Sequence, residues 1–301
     1  MANQSRFLTR LAVILALVVS AAGPEAARAQ GVLTGDWKAS VDPQKPDEIH
    51  LSFEGRGERG HKNQTGTNFN FADLRGLSRE QTSGGVVKFS VVREAGTIDC
   101  EGSFQNGKGS GTFRFTGNPG FVSSMRSKGF DFEKGASDGR RDSADRLFTA
   151  AALNITTALA DDLLSADFGK LDVDDLFKAA IFKVDSRFMR EMKASGFPGL
   201  GMEELVRARI FKIDADFVGK VARMGLDKGS FDGLVRMQIF KVTPEFVAEV
   251  RDEGLRDLSV EDLVQMRIFK IDGEFIRRAK ADGVPLEVEE LVRRRIGVRG
   301  R

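Results

Sequence analysis

The sequence predicts an α+β fold, a small antiparallel β-domain followed by a solenoid-like array of helical repeats of about 29 residues each. Three observations carry that prediction. Residues 32–117 alternate apolar and polar side chains with period two, and from about residue 119 the apolar spacing becomes helical. Within the helical part, Ile181-Phe-Lys-Val, Ile210-Phe-Lys-Ile, Ile239-Phe-Lys-Val and Ile268-Phe-Lys-Ile recur at intervals of 29 residues.

The chain opens with Arg6 and Arg10, the apolar run Leu11–Val19, and then Ala27-Arg-Ala29 before Gln30. Basic start, short apolar centre and small residues at −3 and −1 are the order of a secretory signal peptide, with an uncleaved anchor as the alternative. The apolar run is well short of the ~20 residues that span a bilayer. Cleavage between Ala29 and Gln30 is therefore expected, leaving an extracytoplasmic protein, periplasmic or secreted, with no membrane span. Removing residues 1–29 takes away three arginines and one glutamate, so the remainder is close to neutral. A nucleic-acid partner, which would call for a basic excess, is not expected. Cys100 is the only cysteine, so no internal disulfide can form and packing alone must hold the fold. The 24 Phe, against no Tyr and one Trp, indicate what does that packing.

In the β-domain, taken as 30–118, Ile49, Leu51 and Phe53 share one face of a strand, with His50 and Ser52 on the other. Val87, Phe89 and Val91 repeat the alternation, as do Ile98, Cys100 and Phe104, and Trp37, Ala39 and Val41 mark a first strand. Asn106-Gly107 between two such runs is a strong two-residue hairpin signal, with Phe113 and Phe115 on the returning strand.

The helical region, taken as 119–301, begins with a degenerate unit at 119–151 that contains a polar loop at Asp131–Asp145. Further units start near 152, 181, 210, 239 and 268. Asp185, Asp214, Thr243 and Asp272 are N-caps of a helix A, and Pro244 follows Thr243 at the first helical position. Phe188, Phe217, Phe246 and Phe275 give that helix its apolar face, and Gly196, Gly225, Gly254 and Gly283 stop it. Helix B follows, capped in two units by Ser230 and Ser259, and carries Leu205, Leu234, Leu263 and Leu291. Helix pairs this short cannot bury their own stripes, so stacking on neighbours must complete each core.

Catalytic chemistry finds little purchase. Gly55-Arg-Gly-Glu-Arg-Gly60 matches a phosphate-binding spacing, but no helix signal follows it, so a surface loop is the reading. His50 and His61 are the only histidines, too few for a recognisable zinc set, and Cys100 alternates inward. No Gly-x-Ser-x-Gly occurs. No catalytic residue, metal or cofactor is therefore expected. Asn63–Thr65 and Asn154–Thr156 fit the glycosylation acceptor pattern.

The candidate binding residues lie in the repeats. Lys183, Lys212, Lys241 and Lys270 hold one position in successive units, a possible ladder of cations for an acidic protein or an anionic envelope component. Arg207 and Arg236 form a second row, with Arg293, interrupted by Gln265. Against a dedicated surface stands the helix dipole: acids gather at the start of helix B and bases at its end, as dipoles favour.

The unit at 239–255 with Leu258–Leu263, and the join Gly111-Thr-Phe-Arg-Phe-Thr-Gly-Asn-Pro-Gly-Phe121, resemble the extracytoplasmic C-terminal repeats of β-lactam-sensor-type membrane zinc metallopeptidases of bacteria. That resemblance covers residues 97–297 and implies an exported bacterial repeat module. The peptidase half is missing, with no His-Glu-x-x-His and no set of membrane helices, so no catalytic role carries over. The expected function is a non-enzymatic interaction or scaffold module of the cell envelope. The alternatives are a ligand-binding protein or enzyme with its site in the β-domain, or a regulatory partner of a membrane sensor or peptidase.

Overall fold

A computed structural model describes residues 32–56, 62–134, 143–167, 169–227 and 229–297. Residues 1–29, read above as a signal peptide, together with His61, Phe168 and most of the Gly55–Gly60 loop, lie outside them. Alternation in the first part produces β1 (Val32–Val41), β2 (Glu48–Arg56), β3 (Lys62–Asn70), β4 (Leu74–Arg75), β5 (Gly84–Arg93), β6 (Gly96–Gln105) and β7 (Lys108–Gly117). They form one antiparallel sheet in the order β3-β2-β1-β7-β6-β5-β4. The Asn106-Gly107 hairpin is present, with φ of 50° and 75° and Gln105 opposite Lys108.

The sheet is strongly curled. Three strand spacings, about 14 Å in a flat sheet, separate β1 from β5. Yet the rings of Trp37 and Phe89 lie 5.3 Å apart across the interior. Arg93 near one edge reaches within 6.0 Å of the Phe69 ring at the other. Glycines permit the tightest approach: a Cβ on Gly111 would sit 2.0 Å from Glu101 O and 2.6 Å from the Gly102 Cα. Gly111 lies opposite Gly102 in the β6–β7 ladder, and Trp37 lies over this pair, its Nε1 donating to Glu101 O at 3.3 Å. Gly111→Ala is accordingly expected to cost about 3 kcal/mol, since backbone rather than a flexible side chain must give way. An unchanged urea midpoint would contradict this close pairing.

The helices are α1 (Pro119–Ser127), α2 (Ser143–Ala152), α3 (Thr157–Leu164), α4 (Val173–Phe182), α5 (Ser186–Ala194), α6 (Met202–Ile210), α7 (Ala215–Arg223), α8 (Phe231–Ile239), α9 (Pro244–Asp252), α10 (Val260–Ile268), α11 (Gly273–Ala281) and α12 (Val288–Arg295). No single helix among the described residues is long and apolar enough to cross a membrane. Local signals in the sequence set their ends. Asp185, Asp214, Thr243 and Asp272 accept from the backbone N–H groups of Phe188, Phe217, Phe246 and Phe275, at 2.8, 2.8, 3.3 and 2.8 Å. Ser230 and Ser259 cap α8 and α10 in the same way. Gly196, Gly225, Gly254 and Gly283 take positive φ after α5, α7, α9 and α11.

Packing is mainly next-but-one: α4 lies on α6, α8 on α10 and α10 on α12, while α1 lies on α3, α3 on α5 and α9 on α11; α11 also meets its neighbour α12. The leucines of helix B, Leu205, Leu234, Leu263 and Leu291, are completely buried. Side chains also cap across this packing. Asp162 on α3 accepts from the Ser186 hydroxyl at 2.7 Å and the Ser186 N–H at 2.8 Å, at the first turn of α5. The Ser186 hydroxyl, then its backbone N–H, hold the Asp162 carboxyl below its ordinary range. A depressed carboxylate contributes stability above its unfolded value, and that stability is lost as pH falls through the folded value. Asp162→Asn should cost about 1–2 kcal/mol at neutral pH. The difference from the parent should shrink in acid; a pH-independent difference would refute the charge-assisted cap.

Two features depart from the sequence reading. The polar loop expected to end at Asp145 gives way to α2 from Ser143. That helix, although beyond residue 118, packs on β1, β3, β6 and β7. Phe148 places its ring 5.5, 5.1 and 5.5 Å from those of Phe53, Phe113 and Phe115. The Glu94 carboxylate, between β5 and β6, accepts from Thr157 N–H at 2.8 Å and fastens the start of α3 to the sheet. An aromatic at 148 reads as one more helical core residue; the sheet interior it completes is remote in sequence.

Candidate interaction surface

The four lysines follow directly on the last turns of α4, α6, α8 and α10. Each chain there turns sharply because the next residue, Val184, Ile213, Val242 or Ile271, is drawn into the core. Its N–H closes back on the carbonyl five residues earlier: Val184 to Ala179 at 3.0 Å, Ile213 to Ala208 at 2.8 Å, Val242 to Met237 at 2.9 Å and Ile271 to Met266 at 2.8 Å. This closure forces the lysine into the left-handed region, with φ of 56°, 55°, 55° and 54° at Lys183, Lys212, Lys241 and Lys270. Glycine is the usual residue there, and a side chain costs roughly 1–2 kcal/mol in this conformation. The same protein uses glycine after α5, α7, α9 and α11 and asparagine at Asn154, the matching position after α2. All four lysines are exposed, and none is in an ion pair among the described residues.

Two residues before each lysine, an isoleucine faces solvent. Ile181, Ile210, Ile239 and Ile268 are 54%, 52%, 48% and 43% exposed, and Ile296 closes the row at 55%. Five of the nine exposed large apolar side chains among the described residues thus hold this one position in successive turns. The intervening Phe182, Phe211, Phe240 and Phe269 are half-buried against the core. Contacts join successive turns. Arg209 stacks 3.7 Å over the Phe188 ring and approaches Asp185 at 3.9 Å. Gln238 Nε2 donates to Lys212 O at 3.3 Å. Arg267 Nε donates to Phe240 O and Arg295 Nε to Phe269 O, both at 3.0 Å.

The second candidate row is occupied internally. Arg207 pairs with Asp232 at 2.7 Å, and Arg236 with Glu261 at 3.2 Å, each tying one helix B to the next. Lys178 and Glu203, at 2.6 Å, form an earlier rung of the same kind that the sequence reading did not single out. Where Gln265 interrupts, Glu290 turns to Arg293 of its own helix at 2.5 Å. A cation in one unit with an acid 25 residues later is the signal that would have revealed these rungs.

Among the described residues, the β-domain candidates are not assembled into a site. Cys100 is fully buried, and burial, then the Asp99 charge, push its thiol far above the usual range, which removes its nucleophilicity. His50 lies on the outward face, its Nδ1 2.9 Å from Asn68 Oδ1. Gly55 faces inward against Leu33. A depression of about 810 Å³ on the outer face is lined by Asp36, Asp99, Glu101, Lys88 and Arg114 among others. Lys88 pairs there with Glu101 at 2.5 Å, and Asp99 accepts from the Ser90 hydroxyl at 2.6 Å. No cluster of three potential metal ligands occurs among the described residues. In the Asn154–Thr156 acceptor pattern, Ile155 is buried and the Thr156 hydroxyl caps α3 through Leu159 N–H at 3.1 Å.

Comparison with protein families, with curated proteins and with solved structures gives no match.

Proposed function

We propose that this is an exported, non-enzymatic interaction or scaffold module of the cell envelope, its helical units stacked as a solenoid with the Ile-Phe-Lys turns as the contact surface. One observation carries the reading: four exposed lysines, in no ion pair among the described residues, at positions where their own backbone conformation is unfavourable. Strain held at repeated surface positions is where function is sought first. The helix dipole accounts for a cation near each carboxyl end, at ~0.3–1 kcal/mol, but not for lysine in place of glycine at the left-handed position itself. Arg207 and Arg236 drop out of the contact set, because their acids hold them between units.

The test is crosslinking in the native envelope, comparing the parent with a variant carrying Lys183, Lys212, Lys241 and Lys270 all as Gly. Products present for the parent and absent for the variant support the reading. Identical products from both would overturn it.

A further inference from the structure

We infer that the Ile-Phe-Lys ridge docks onto an anionic lipid surface, an inference that rests on the interaction reading and names its partner. Each turn offers one half-exposed isoleucine and one lysine, and the sets are joined by contacts from Asp185–Arg209 through to Phe269–Arg295. α4 packs on α6 and α8 on α10, and helices packed in this way lie about 8–10 Å apart, so the lysines within each of these pairs recur on about that spacing. A line of cations beside a line of aliphatic tips is the chemistry of interfacial binding. Aliphatic groups enter the headgroup boundary, and lysines stretch their stems along it toward phosphates.

Two further features favour lipid over an acidic protein. Protein interfaces concentrate aromatic residues and arginine at their centres and are depleted of lysine. On this ridge the order is reversed: the aromatics are half-buried behind it, and Arg209, Arg267 and Arg295 are turned onto neighbouring rings and carbonyls. The nearest acids on the ridge, Asp185, Asp214 and Asp272, accept from the first-turn N–H groups of α5, α7 and α11, where the positive helix ends offset their charge. The lysines are thereby left as the cations available to an anionic plane.

Co-sedimentation of the purified protein with vesicles tests this. Vesicles of phosphatidylcholine with about a third phosphatidylglycerol are compared with phosphatidylcholine alone, at low and raised salt. Binding to the anionic vesicles only is expected, weakening as salt screens it. Replacing one lysine by glycine should lower partitioning about fivefold, and replacing all four should abolish it. A second variant, with Ile210, Ile239 and Ile268 as Ser, keeps the charge and should also lose most of the binding. Circular dichroism must report parent-like helicity for both variants. Equal binding to neutral vesicles, or binding indifferent to both variants, would overturn the inference. If vesicles are not bound but envelope crosslinks still depend on the four lysines, the lipid assignment fails and the interaction reading stands. If neither depends on them, both fall.

Discussion

Phe148→Ala should cost about 3–5 kcal/mol, at least as much as Gly111→Ala. Phe148 is 3% exposed and meets three phenylalanine rings of the sheet at once, stacking on Phe113 at an interplanar angle of 23°. Truncation removes the transfer energy of the ring and leaves a void walled by Phe53, Phe113 and Phe115, which the hydrogen-bonded strands cannot close. The protein carries its own reporter for the event. Trp37 is the only tryptophan, there is no tyrosine, and its indole is buried inside the curled sheet. Its fluorescence therefore follows the sheet, while far-ultraviolet circular dichroism is dominated by the helices. In urea the Trp37 transition should move to markedly lower denaturant in the variant, with the helical signal moving less. A Trp37 transition left where it was would show that α2 does not complete the interior of the sheet.

The quadruple Lys→Gly variant should be more stable than the parent, although it loses four charges and sixteen methylenes of side chain. Glycine relieves roughly 1–2 kcal/mol of left-handed strain per site. Against this stand about 0.5–1 kcal/mol of extra unfolded-chain entropy and a few tenths for the lost dipole interaction. The net gain is about 0.5 kcal/mol per site, which over four sites is a rise of roughly 4–8 °C in midpoint. Loss of binding in a protein that melts higher cannot be blamed on unfolding. A lower midpoint would mean that the lysines hold the turns together, and the functional reading would lose its main support.

Much of this architecture was legible because its determinants are local. The strand alternation, the Asn106-Gly107 hairpin, the Asp and Thr caps before each Phe, and the glycine stops each act within a few residues. The exposure of the isoleucines was not legible. Ile210 lies one turn after Val206, which is 7% exposed, so helical period alone would bury both. Whether the end of a helix is covered depends on how the next unit sits against it, and no single unit contains that information. The lysine conformation was hidden for a related reason. A left-handed position is usually announced by glycine, and here the closure onto Ala208, Met237 and Met266 imposes it on a residue that does not advertise it. The role of α2 was missed because its partners lie some 25 to 120 residues earlier, in β1, β2, β3, β6 and β7.

The docking of α2 gives the molecule a firm end and a loose one. At the sheet, aromatic packing and the Glu94 tether anchor the first helices; at the far end α12 buries only Leu291 and Val292 and has no side-chain N-cap. Amide hydrogen exchange should therefore slow progressively from α12 back toward α3, as fraying from the carboxyl end reaches fewer and fewer helices. A ligand that touches the whole ridge would flatten that gradient, because it cannot hold Lys270 without also holding the helices that are first to open.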